Sequence, residues 1–172
     1  IVAYDETGAN NIVQNIVETY KNIQLQLADS NKNNNVLLVG KVQSGKTSNL
    51  EMLTALAFDN GYDIVVVLGG TKKPLVTQNR DRIKEYFDTT KEVLVLDTTD
   101  FKDQLTAQKM HQFKKMGKKV VIVALKSPAQ INYIAESIFE DPILAEKPTL
   151  IIDDEGDEAS LNTLVKKGKK SS

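Results

Sequence analysis

Five short runs of consecutive apolar, mostly β-branched residues punctuate the chain, at 36–39, 64–68, 93–96, 120–124 and 149–152. None alternates with polar residues, as a strand wetted on one face would. Unbroken apolar strands belong to parallel sheets covered on both faces, and parallel strands need long crossovers, usually helices. The intervening segments supply them. Residues 48–58 have helical character, and Asp59-Asn60-Gly61 is a helix stop. A second helix is expected from Pro74 to Phe87, and a third from an Asp100 cap to about Met116. A fourth opens at Ser127-Pro128, with Ser as cap and Pro in the first turn. Before the first strand, Ile12, Val13, Ile16, Val17, Tyr20, Ile23 and Leu27 have the spacing of a helix with one wet face, expected to pack on the sheet. The alternation specifies a three-layer α/β/α domain with a mostly parallel sheet.

Between the first strand and its helix, Gly40, Gly45, Lys46 and Thr47 satisfy G-x-x-x-x-G-K-[ST]. Glycines let such a loop turn its backbone N–H groups inward toward phosphate oxygens, and the helix start adds its own donors. The phosphate cradle is therefore assigned to Gly40, Gln43, Ser44, Gly45, Lys46, Thr47 and Ser48. Lys46 is expected to reach the β- and γ-phosphates of ATP, and the Thr47 hydroxyl to sit on Mg²⁺. The last strand runs into Asp153-Asp154-Glu155-Gly156-Asp157-Glu158. A carboxylate at a strand end is the other half of such a site. Asp154 is assigned to Mg²⁺, with Asp153 as the competing candidate, and Glu155 is expected to orient or deprotonate the attacking water. The expected catalytic residues are thus Glu155 and Lys46.

Asp157 completes a D-E-x-D box that resembles the second motif of superfamily-two helicases and translocases, whose core is a pair of RecA-like domains. The likeness narrows with Val42-Gln43-Ser44-Gly45-Lys46-Thr47, Gly61-Tyr62, Val76-Thr77-Gln78-Asn79-Arg80, Ile151-Ile152-Asp153-Asp154-Glu155 and Ala159-Ser160-Leu161-Asn162-Thr163. These blocks are arranged as in the Z-one domain family of prokaryotic proteins regarded as endonucleases, over residues 39–163. The resemblance implies a helicase-like P-loop ATPase core acting on nucleic acid, DNA above all, in restriction or phage defence. It also implies a second RecA-like domain, or a nuclease domain or partner. Gly156 stands where the family pattern has Ala. No Arg follows Arg82, so arginine fingers are missing, and the isolated chain is expected to be a weak or inactive ATPase.

Thr71, Lys72, Gln78 and Lys126 lie where helicase-like proteins touch a nucleic-acid backbone; a solvated turn and a helix cap are the plain alternative. Asn79 and Arg80 share that region, and Gln14 is a lesser nucleotide-contact candidate. Lys114, Lys115, Lys118 and Lys119 form a basic cluster that reads first as a solvated face. His111 is the single histidine, expected at a surface helix position without a partner. The net charge of -1 advertises no global affinity for polyanions. The absence of Cys excludes disulfides and thiolate zinc sites and suits a reducing cytoplasm, and no run is long enough to span a membrane.

The expected organisation is an N-terminal helix over 1–34, a RecA-like domain over 35–165 and a Lys-rich tail over 166–172. The chain, which begins at Ile1, is expected to be part of a longer protein. Three other functions fit parts of the pattern. Asp153-Asp154-Glu155-Gly156 also matches the D-x-x-G of a GTPase, but no late Asn-Lys-x-Asp turn accompanies it. A small-molecule kinase would need an Arg-rich lid, for which Arg80 and Arg82 are poor material. The main alternative is a nucleotide-dependent interaction or switch module with little hydrolysis.

Overall fold

A computed structural model describes residues 6–27, 46–88, 91–97 and 104–154. The expected first strand, the glycine loop to Gly45, the polar turn at 31–35, Asp100 and everything from Glu155 onward lie outside the described residues. The chain divides into two compact units, Ile1–Gly61 and Tyr62–Ser172.

The first unit contains α1 (Glu6–Leu27) and α2 (Lys46–Asp59), which pack against each other. The buried stripe of α1 is narrower than its apolar pattern suggested. Ile16, Thr19 and Tyr20 are buried, whereas Val13 and Val17 are exposed. Thr19 tolerates burial because its hydroxyl donates to the Asn15 carbonyl at 2.7 Å. In α2, Leu50, Leu53, Ala57 and Phe58 are buried, and the fully buried Thr54 donates to the Leu50 carbonyl at 2.8 Å. The helix stops where expected. The Asn60 and Gly61 amides donate back to Leu56, Ala57 and Phe58 carbonyls, and Gly61 takes φ +92.

The second unit is an α/β layer structure with strands β1 (Ile64–Gly69), β2 (Val93–Asp97), β3 (Lys119–Ala124) and β4 (Thr149–Asp154). The helices α3 (Lys73–Phe87), α4 (Gln104–Lys115) and α5 (Pro128–Phe139) connect them. The sheet is parallel throughout, in the order β2-β3-β1-β4. Ile64 and Val66 of β1, Leu96 of β2, and Val120, Ile122 and Ala124 of β3 face a core completed by Met110, Ile134, Ile138 and Leu144. That face belongs to α4 and α5. The opposite face, with Val65, Val67, Val121 and Val123, is covered by Val76, Ile83 and Phe87 of α3. Burying these side chains on both faces is the main force that orders this unit.

Each of the last four expected strands is present, extended by one or two residues. The expectation of burial on both faces holds for β1 and β3 but not for β4, where Ile151 is 54% exposed. Among the described residues β4 pairs on one side, with β1, which leaves it less covered than the central strands. Helix ends follow the sequence signals. Ser127 Oγ accepts from the Gln130 amide at 3.4 Å, and the Gln130 side chain accepts from Leu125 N at 2.8 Å. Gly117, at φ +71, closes α4 as the Lys118 amide donates to the Phe113 carbonyl at 2.8 Å.

Candidate functional site

Ligands of open parallel sheets bind beyond the carboxyl ends of the strands. In the second unit that edge is formed by Gly69-Gly70-Thr71 after β1, Asp97 at the end of β2, Leu125-Lys126 after β3, and Asp153-Asp154 at the end of β4. The register opposes Asp153 to Leu68 and Asp154 to Gly69. Strand alternation therefore sends the two carboxylates to opposite faces.

On the α5 side, Lys126 Nζ lies 2.8 Å from Asp153 Oδ2; the lysine side chain is 11% exposed and the aspartate 41%. The Lys126 amide also donates to the Gly70 carbonyl at 2.8 Å, which ties the loop after β3 to the loop after β1. On the α3 side, Asn79 Nδ2 donates to Asp154 Oδ2 at 3.4 Å, a long hydrogen bond. Asn79 is buried in the stripe formed with Val76, Ile83 and Phe87. Gly69 makes room for it, because a Cβ there would stand 3.2 Å from Asn79 Nδ2 and 3.6 Å from Val76 Cα.

The other residues expected at this edge are distributed differently. Thr71 and Lys72 are exposed ahead of α3, where the Lys72 carbonyl receives the Leu75 amide at 3.1 Å. Gln78 is exposed on the outer side of α3, in a shallow groove with Lys73, Asp81 and Arg82, and does not join the carboxylates. Arg80 turns back to Asp81 at 2.8 Å and to the buried Asp97. The hydrogen bonds it donates to Asp81 raise its pKa; burial opposes, and Asp97 adds to the rise. Lys46, Thr47 and Ser48 belong to α2. Gly40, Gln43, Ser44, Gly45 and Glu155 lie outside the described residues, as does the remainder of the acidic box.

Two expectations about secondary residues are corrected. His111 has a partner, since its Nε2 lies 2.7 Å from Asp141 Oδ2, thirty positions along the chain. Burial works against a charged Asp141, but the Ile143 and Leu144 amides and His111 together bring its pKa below the ordinary value. The basic cluster is not a uniformly solvated face. Lys114 Nζ, on a side chain only 3% exposed, lies 2.8 Å from Asp63 Oδ1, and Lys119 Nζ lies 3.2 Å from the same oxygen. Lys114 also donates to the Lys118 carbonyl at 3.0 Å, and Lys119 to the Tyr62 carbonyl at 2.8 Å. Sequence reasoning missed Asn79 as the partner of Asp154. The signal was a carboxamide in an apolar helical stripe, which burial forces to find a partner.

Among the described residues no group of three or more His, Cys, Asp or Glu could hold a metal ion, and no helix is long and apolar enough to cross a membrane. Comparisons with protein-family models, with curated proteins and with solved structures found no match to this chain.

Proposed function

We propose that the chain is an ATP-binding, Mg²⁺-dependent NTPase module of the RecA-like P-loop type. The observation that carries this reading is a parallel strand, β4, ending in Asp153-Asp154 at the carboxyl edge of the sheet. The helical placement of Lys46 and Thr47, the last residues of the glycine motif, adds support. Mg²⁺ bound with a nucleotide needs only one or two protein carboxylates, the remaining ligands being water and phosphate oxygens. An aspartate hydrogen-bonded to a neutral amide, as Asp154 is to Asn79, suits that demand.

In this reading the Lys46 ammonium binds the β- and γ-phosphates, and the Thr47 hydroxyl and Asp154 hold the metal ion. Glu155 orients water for in-line attack and accepts its proton. When bound, Mg²⁺ offsets the charge that builds on the phosphates. The wider reading follows the Z-one resemblance: ATP turnover coupled to remodelling of nucleic acid, DNA first, with a second RecA-like or nuclease domain, in restriction or phage defence. Thr71, Lys72, Gln78 and Lys126 are the backbone-contact candidates. Lys126 would have to leave Asp153 to serve.

A specific observation favours the alternative, a nucleotide-dependent interaction module with little hydrolysis. Arg80 is committed to Asp81 and Asp97, and no Arg follows Arg82. With Arg80 so committed and Arg82 in the outer groove of α3, turnover by this chain alone is expected to be slow. The test of the common core is thermal. MgATP should raise the melting temperature of the wild type and leave Lys46→Ala unmoved; an equal shift in the variant refutes the assigned site.

A further inference from the structure

We propose that Asn79 is a positioning residue that makes Asp154, and not Asp153, the carboxylate for Mg²⁺, an inference that rests on the ATPase reading above. The two aspartates are adjacent in sequence, so chemistry alone does not rank them. Their surroundings do. Asp153 already has a counter-cation in Lys126 at 2.8 Å, and the lysine is nearly buried and anchored through its own amide to Gly70. An ammonium at that distance competes directly with a divalent cation for the same oxygen. Among the described residues Asp154 instead accepts from a neutral amide alone, which orients the carboxylate without placing a competing cation on it.

Asn79 is suited to this task by three independent features. It is a buried carboxamide in an otherwise apolar stripe, where burial is unfavourable unless a hydrogen bond offsets it. Its Nδ2 faces Asp154 Oδ2. The residue opposed to Asp154 in register is Gly69, the one side-chain choice on β1 that does not crowd Nδ2. Pushing Asn79 aside would leave the Asp154 side chain unaimed.

The experiment titrates Mg²⁺ into the full chain with N-methylanthraniloyl-ATP and follows nucleotide fluorescence. Asn79→Leu, similar in volume but without a donor, should raise the half-saturating Mg²⁺ concentration about tenfold. Binding of the nucleotide without Mg²⁺ should stay as in the wild type. Gly69→Ala should shift Mg²⁺ dependence in the same direction by a smaller factor, which keeps the inference testable if Asn79→Leu does not fold. Asp154→Asn should abolish the Mg²⁺ enhancement, and Asp153→Asn should retain it. A merely structural Asn79 would lower the melting temperature and leave Mg²⁺ dependence unchanged in both folded variants, which overturns the inference. So does loss of enhancement in Asp153→Asn with retention in Asp154→Asn. A wild type that binds no nucleotide at all removes the ATPase reading instead.

Discussion

The two ends of the sheet in the second unit treat their carboxylates in opposite ways. At the amino end a single aspartate, Asp63, is matched by two ammonium groups, and one of them, on Lys114, is buried. At the carboxyl end Asp97 is paired with Arg80 and Asp153 with Lys126, whereas Asp154 is met by an amide alone among the described partners. The first arrangement is charge-saturated and closes the strand entrances. Among the described residues, the second leaves one of its three aspartates, Asp154, without a cation at the edge where parallel sheets bind ligands. Under the proposed function, charged residues at strand ends thus divide into structural and ligand-binding sets by how completely the protein neutralises them.

That contrast predicts unequal costs of truncation. Lys114→Ala should destabilise the fold by about 2 kcal/mol, because it leaves the Lys118 carbonyl without its donor and Asp63 with Lys119 alone. Urea unfolding at neutral pH measures it; a cost under about 1 kcal/mol would make the amino end no more structural than the other. The second test is acid. Burial opposes the charge of Asp63, but hydrogen bonds and coulombic attraction from Lys114 and Lys119 win, so its carboxyl titrates below the ordinary value. A depressed folded-state pKa contributes stability that is fully present above the unfolded carboxyl's pKa and is lost as pH falls through the folded one. Asp63→Asn should therefore flatten the acid limb of the stability curve; an unchanged limb contradicts the assignment. The smallest effect is expected at the carboxyl end. Lys126→Ala leaves Asp153, 41% exposed, able to hydrate, and should cost less than about 1 kcal/mol.

Legibility in the sequence followed the same division. Apolar runs at 64–68, 93–96, 120–124 and 149–152 announced β1 to β4, because backbone pairing and side-chain burial both act on contiguous residues. Ser127, Pro128 and Gly61 marked helix ends through purely local chemistry. The partnerships were not legible. His111 with Asp141, Lys119 with Asp63, and Asn79 with Asp154 join residues 30, 56 and 75 positions apart, and only the packed layers bring them together. Strand order is likewise non-local. It sets β1 between β3 and β4, and so puts Gly69 beside Asp154. For the same reason, the over-wide apolar face expected of α1, with Val13 and Val17 in it, could be corrected only from the packed helix pair.

The central proposal is that Lys46 and Asp154 both contribute to MgATP binding. Calorimetric titration of MgATP into the wild type, Lys46→Ala, Asp154→Asn and the double variant tests it as a thermodynamic cycle. The account predicts strong non-additivity, with the second substitution costing little once the first has removed metal-assisted phosphate binding. Independent, additive losses, or an Asp154→Asn variant that binds MgATP as the wild type does, would contradict it.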